Sequence, residues 1–231
     1  MEALESNKAN KNGKEDCFME GRMVKFYSKE SNKLAMHVVP GHFATSNSHI
    51  NYYIDVTSIK TRVSEAKEAA GILGSKMNFH AYADTIVCMD GTEMIGAFLA
   101  EKLQQGKILS TNKHETLYVI SPEMNSSNQI IFRDNMKNKI AGKHVILLLD
   151  TTTTGETIRR SMEGIRYYGG IIERVVSVFS TIQSVDGMHV DTVFSENDIP
   201  GYQTYSQSEC PFCAKGMMIE AMVNGYGYSK L

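Results

Sequence analysis

Residues Val145–Thr157 read Val-Ile-Leu-Leu-Leu-Asp-Thr-Thr-Thr-Thr-Gly-Glu-Thr. Five aliphatic side chains with no polar alternation call for a strand covered on both faces, as in the middle of a parallel sheet. Ile158, Met162 and Ile165 then follow at spacings of four and three, which is a helix. Between strand and helix stand one acid, four hydroxyls and a glycine. Backbone N–H groups at the start of such a helix point at an anion, and the helix dipole favours its charge. Thr153, Thr154 and Thr157 add hydroxyl donors, and Gly155 permits close backbone approach. The run Thr152–Thr157, Glu156 included, therefore reads as a phosphate cradle. Asp150 is placed to hold ribose hydroxyls or a magnesium ion. A threonine-rich cap with no ligand is the plainer alternative, but four threonines are more than one cap can use.

Upstream, Tyr52–Val56 is aromatic and β-branched and reads as a strand. A helix opens at Thr61 with Val63, Ala66, Ala70, Leu73 and Met77 on one face. Asp84–Met89 is a buried strand. The turn Asp90-Gly91-Thr92 leads into a helix carrying Ile95, Phe98, Leu99 and Leu103. Glu115–Ile120 is a further strand, and Ser121–Gln129, without periodicity, is expected to be a mobile loop. Ile171–Thr181 supplies another strand. Strands alternating with helices across short turns imply right-handed parallel crossovers and an α/β, doubly wound, mostly parallel sheet. Ligands of such sheets bind beyond the carboxyl ends of the strands, so the turns at Asp90 and Asp150 matter most.

With 231 residues, the chain is one ordinary domain with an added subdomain. A hydrophobic fraction of 42% and a charged fraction of 22% exclude wholesale disorder and a fibrous fold. The longest aliphatic run is far short of the ~20 residues that cross a bilayer, so a soluble protein is expected. Twenty-four basic against 26 acidic residues leave a charge of −2, which argues against nucleic acid as a partner. The polar first 16 residues lack the apolar core of a secretory signal. Four cysteines (Cys17, Cys88, Cys210, Cys213) do not form a disulfide scaffold, so reduced thiols and a cytoplasmic location are expected.

Cys210-Pro211-Phe212-Cys213 is a two-cysteine knuckle whose thiolates could share a tetrahedral Zn²⁺, supplying two of its four ligands. The rest would come from a second chain, Cys17 or a histidine. Reduced cysteines in a C-terminal turn are an equal alternative; a redox pair lacks the strand-then-helix context. His37, His42 and His49 around the Gly41 turn could touch a base or phosphate, although lone loop histidines are more often solvated surface. Tyr52 and Tyr53 alternate across their strand, so one packs inward while the other is free to stack on a base. The fourteen methionines are core or interface filler.

The Val145–Thr157 segment resembles the phosphoribosyl-pyrophosphate motif of the type I phosphoribosyltransferases: apolar residues, two adjacent acids, then Thr-Thr-Gly-x-Thr. Asp90-Gly91-Thr92 sits where that family places its pyrophosphate loop. Gly41–Asp55 (GHFATSNSHINYYID) is similar to the N-terminal stretch of the orotate branch. The resemblance implies a small N-terminal hood (21–60) over an α/β core (61–200), preceded by a polar lead-in (1–20) and followed by a C-terminal segment (201–231) with the knuckle. It further implies Mg²⁺-dependent transfer of a phosphoribosyl group to a nucleobase in pyrimidine nucleotide synthesis. Thr152–Thr157 would grip the 5′-phosphate, Asp150 and Thr151 would stand at the reacting ribose, and Asp90, Gly91 and Thr92 would face pyrophosphate with Mg²⁺. Ser46, Tyr52 and Tyr53 would meet the base, and a homodimer would be the working form.

Three positions depart from the family pattern. Thr151 replaces the second acid. Ser121–Gln129 holds Glu123 and none of the Lys or Arg with which the family's loop neutralises pyrophosphate. Thr45 and Ile182 stand where the orotate branch has cations. Either the enzyme draws cations from elsewhere, such as Arg133, Lys137 or a dimer mate, or the chain is a nucleotide-binding regulator that has lost catalysis.

Overall fold

The computed structural model describes residues 21–77, 82–105, 117–127 and 129–231. The polar lead-in with Cys17, and residues 115–116 of the strand expected at Glu115–Ile120, lie outside the described residues. In chain order the strands are β1 (Val24–Tyr27), β2 (Ala35–Ala44), β3 (His49–Asp55), β4 (Thr85–Cys88), β5 (Tyr118–Ile120), β6 (Glu123–Met124), β7 (Ile130–Ile131), β8 (His144–Thr152), β9 (Ile171–Ser180), β10 (Ser184–Val185), β11 (Met188–Ser195), β12 (Thr204–Tyr205), β13 (Ala221–Asn224) and β14 (Gly227–Lys230).

The larger architectural unit is a sheet in the order β10-β11-β9-β8-β4-β5. Its neighbours β5, β4, β8, β9 and β11 are all parallel, and only β10 runs antiparallel at the edge. Since β4 precedes both β5 and β8 and lies between them, the winding direction reverses there, and that reversal opens a crevice. β8 is central. Val145–Asp150 is buried throughout, so the unbroken aliphatic run is explained by cover on both faces.

The two faces pack different helices. Ile146 and Leu148 join Ala66, Ala70 and Leu73 of the Val63–Lys76 helix and Ile95 and Leu99 of the Glu93–Gln105 helix. Val145, Leu147 and Leu149 meet Ile158, Met162 and Ile165 of the Glu156–Tyr167 helix. Each such fully buried Ile or Leu contributes about 1.5–3 kcal/mol of transfer free energy. Val63, expected on the buried stripe, is 60% exposed, because it is the first helical residue and the stripe begins one turn later at Ala66.

A second sheet takes strands from both ends of the chain. β2 and β3 form an antiparallel hairpin, β12 flanks β3, and β13 runs parallel to β2 with β14 beyond it. β1 also pairs with β2. The stretch expected to be a mobile loop, Ser121–Gln129, contributes β6 to a short hairpin with β7. The Asn125 side chain accepts the N–H groups of Ser127 and Gln129, each at 2.9 Å, and turns the chain. Two-residue strands are too short to leave a period in the sequence.

Candidate active site

The cleft forms at the carboxyl ends of β4 and β8. Beyond β4 the backbone enters the left-handed region twice, with φ +54° at Asp90 and +80° at Gly91; Asp tolerates that conformation better than most residues and Gly adopts it freely. Thr92 is fully buried. Its hydroxyl donates to the Met89 carbonyl at 2.8 Å, and its own carbonyl accepts the Gly96 N–H at 2.9 Å, starting the Glu93–Gln105 helix.

At the end of β8, Asp150 is 1% exposed and accepts a hydrogen bond from Lys60 Nζ at 2.9 Å. Lys60, itself buried, comes from the short Thr57–Thr61 helix and also donates to the carbonyls of Asp90, at 2.7 Å, and Gly225. Burial pushes the Asp150 carboxyl upward against the pull of Lys60. Burial and then the Asp150 charge push Asp90 up to about 6, with Lys60 opposing. Nothing in the sequence marks Lys60, because it lies on a five-residue helix that carries no motif. Gly225 is required here: a Cβ on it would lie 2.6 Å from Asp150 Oδ2 and 2.8 Å from the Asp90 Cβ. The C-terminal chain crosses directly over the two acids.

β8 extends through Thr152, so Thr151 and Thr152 are strand residues paired with Phe179 and Ser180, and the expected turn is confined to Thr153–Gly155. Thr181 pins it, donating from its N–H to the Thr152 carbonyl at 3.1 Å and from its hydroxyl to the Thr153 carbonyl at 2.6 Å. Gly155 has φ +76°, and a Cβ there would fall 2.7 Å from Ile182 Cδ1 and 2.8 Å from Val185 Cγ2. A side chain there would strain the backbone and displace both residues. The Glu156 carboxylate, at the helix start, accepts from Arg159 Nη1 at 3.1 Å and Arg160 Nε at 2.8 Å. That acid is thereby offset beside the cradle.

The resulting cleft, of about 600 Å³, is lined by Asp90, Asp150 and the whole run Thr151–Thr157 together with Arg160. Ser46 and Tyr53 line its other side. Ser46 is exposed at the rim; Tyr53 is buried, edge-on to Tyr228 with ring centroids 5.5 Å apart, and burial raises its phenol well above the usual range. Tyr52 is not among the lining residues. Its hydroxyl donates to the Pro200 carbonyl at 3.3 Å and its ring stacks on Tyr202. Gly91 and Thr92 also stand outside the lining. Arg133 donates to Glu123 at 2.8 Å and Lys137 pairs with Asp134 at 2.6 Å, so both cations invoked from the sequence are engaged by surface acids. Among the described residues, Lys60 pairs with Asp150 and Arg160 lines the cleft beside the cradle.

No protein-family model matches this sequence, and no curated protein matches it. Solved structures do. The UMP synthase of Leishmania donovani is 17% identical over 69% of this chain with a TM-score of 0.50, and the match spans only 34% of that longer chain. The orotate phosphoribosyltransferase of Mycobacterium tuberculosis H37Rv matches at 15% identity, over 70% of this chain and 90% of its own, TM-score 0.47. Adenine phosphoribosyltransferase from Thermoanaerobacter pseudethanolicus matches at 13% identity, over 77% and 98%, TM-score 0.47. The fold is that of a type I phosphoribosyltransferase. At 17% identity the likeness to the UMP synthase carries the fold alone. Among the described residues no helix is long and apolar enough to cross a membrane.

In this phosphoribosyltransferase-like fold two of the three histidines expected at the surface, His42 and His49, are buried, while His37 is half-buried. His42 on β2 is 1% exposed and His49 on β3 is 7% exposed. His42 Nε2 lies 3.2 Å from His49 Nδ1, 3.4 Å from Cys210 Sγ and 3.7 Å from Cys213 Sγ; His49 Nδ1 lies 3.4 Å from Cys213 Sγ. All four ligand atoms fall within 4.8 Å of one another. The hairpin folds His42 and His49 onto one site, which the spacing of the histidines alone does not announce. Burial and the neighbouring His42 lower the His49 pKa. Cys88 is elsewhere in the core, its thiol pushed up to about 12 by burial.

Proposed function

We propose that this protein transfers the phosphoribosyl group of phosphoribosyl pyrophosphate to a nucleobase nitrogen, releasing pyrophosphate, with orotate as the first candidate acceptor. The observation that carries the reading is the joining, in one cleft at the topological switch point, of the buried Asp150 and the Thr153–Thr157 corner. The amides and hydroxyls of that corner would hold the 5′-phosphate, with Arg160 beside them. Asp150 would receive the ribose hydroxyls, and Ser46 and Tyr53 would bound the base. The C–N bond forms as the C–O bond to pyrophosphate breaks, through an oxocarbenium-like state. Catalysis then rests on holding the sugar phosphate still and stabilising the leaving group.

Asp90 and Asp150 fit a Mg²⁺ ion: their oxygens are hard donors, and the Asp90 carboxyl is raised first by burial and then by the Asp150 charge, the second of which a divalent cation would relieve. Bound there, the metal would supply positive charge to pyrophosphate. Lys60 fixes the Asp150 carboxylate from beneath and ties the Asp90 and Gly225 carbonyls to it. The reading carries with it a hood at 21–60 over a core at 61–200, a homodimer and a cytoplasmic role in pyrimidine nucleotide synthesis.

Two observations favour the regulator instead. Asp150 already has a cationic partner in Lys60, and Thr151 offers no second carboxylate. The test is to incubate protein, Mg²⁺ and phosphoribosyl pyrophosphate with a panel of bases including orotate, uracil and adenine, and to assay pyrophosphate. Release that depends on one base supports the transferase. Binding of phosphoribosyl pyrophosphate with no release under any base supports the regulator.

A further inference from the structure

We propose that His42, His49, Cys210 and Cys213 bind one zinc ion per chain, in a closed structural site that clips the C-terminal segment to the hood sheet. A tetrahedral ion with Zn–S of about 2.3 Å and Zn–N of about 2.05 Å holds its nitrogens about 3.3 Å apart and its S–N pairs about 3.6 Å apart. The separations here are 3.2 Å for N–N and 3.4, 3.4 and 3.7 Å for three of the S–N pairs, close to those values, and all four atoms lie within 4.8 Å of one another. His42 Nδ1 lies 3.2 Å from the carbonyls of both Met217 and Met218. Carbonyls only accept, so Nδ1 carries the proton and Nε2 presents its lone pair to the sulfurs and to His49. An imidazole whose far nitrogen donates to a backbone carbonyl is the usual outer support of a metal-bound histidine.

The surroundings suit a structural site. His42, His49 and Cys210 are buried, and the Phe212 ring packs against His42 with centroids 5.2 Å apart. Cys213 lies at the surface and gives the ion a way in. All four ligands come from one chain, so no second copy is needed to complete the set. The Cys2His2 set leaves no open position, which separates this ion from any catalytic metal.

The consequence reaches the cleft. The residues that receive the His42 N–H lead directly into β13, which pairs with β2, and then into Gly225 above Asp150. Glu220 reinforces the same crossing, accepting the His42 backbone N–H at 3.2 Å and an Arg22 hydrogen bond at 2.6 Å. An ion at the knuckle would therefore fix the chain that roofs the two acids.

Metal content decides the matter without any assay of phosphoribosyl transfer. Full-length protein purified under reducing conditions, stripped with chelator and refilled with zinc should retain one zinc per chain. Cobalt(II) in its place should give the strong visible absorption of a tetrahedral ion with thiolate charge transfer. Cys213→Ser, at an exposed position, should weaken zinc binding by about a hundredfold or more while Cys17→Ser retains one zinc per chain. Chelation of the wild type should speed hydrogen exchange at β13 and around Gly225. Failure of refilled wild-type protein to hold zinc would overturn the proposal, as would one zinc per chain surviving in the Cys210→Ser/Cys213→Ser double variant.

Discussion

At the carboxyl end of β8, eight consecutive residues, Asp150–Thr157, supply the acid, the hydroxyls and the glycine of the cleft corner. The other polar constellation, His42 with His49, Cys210 and Cys213, gathers side chains from three segments up to 171 residues apart. The first is shaped locally: a buried strand, a left-handed glycine and a helix start leave the intervening chain little choice. The second exists only because β2 and β3 fold back on each other and β13 lies beside β2. The first is pinned from outside only at single points such as Thr181 and Lys60, whereas the second depends wholly on the meeting of distant strands. The two meet through Gly225, whose carbonyl accepts from Lys60 above Asp150.

The contrast is tested most severely at Asp150, the point where the local corner depends on a distant partner. Asp150→Ala leaves Lys60 buried without its hydrogen-bonded carboxylate, and should destabilise the fold by about 3–5 kcal/mol in urea titration. Adding Lys60→Met should recover most of that loss. Recovery would show that the pair is held for chemistry more than for stability; an equal loss in both variants would remove the ion pair from the account.

A smaller effect is expected at Asp90. Its folded carboxyl titrates near 6, above the ordinary Asp value, so the folded chain keeps a proton that the unfolded chain releases. Below about pH 4 both forms are protonated and Asp90 costs nothing. As pH rises through 4–6 the folded state loses ground, and above 6 the full penalty stands. Asp90→Asn, which also suits the left-handed backbone, should stabilise the protein by about 1–2 kcal/mol at pH 7.5 and by less at pH 4.5. Equal gains at both pH values would contradict the origin assigned to the shift.

The same contrast explains what could be read from the sequence. β8, with its unbroken aliphatic run, and the helix after it, with Ile158, Met162 and Ile165, were legible because each is specified by neighbours in the chain. The doubly wound sheet followed from their alternation. The knuckle was legible as a metal candidate, but its partners were not: His42 and His49 lie on opposite arms of a hairpin with a bulge between Pro40 and Phe43, and no periodicity reports which imidazole faces inward. Lys60 was invisible for the same reason, since its importance comes from Asp150, 90 residues away. The hairpin of β6 and β7 escaped because the Asn125 side chain, not strand propensity, holds its turn. Alternation separates Tyr52 from Tyr53 but not their roles: the buried Tyr53 is the one that lines the cleft, while Tyr52 stacks on Tyr202.

The account stands on the claim that the Thr153–Thr157 corner holds a phosphate. Calorimetric titration of phosphoribosyl pyrophosphate with Mg²⁺ into the wild type and Thr154→Glu tests it directly, because Thr154 is an exposed cleft residue whose replacement should leave the melting temperature nearly unchanged. A carboxylate placed against the 5′-phosphate should weaken binding about tenfold or more, or about 1.4 kcal/mol at the least. Wild-type protein that binds no phosphoribosyl pyrophosphate, or a Thr154→Glu variant that binds it as tightly as the wild type, would contradict the claim.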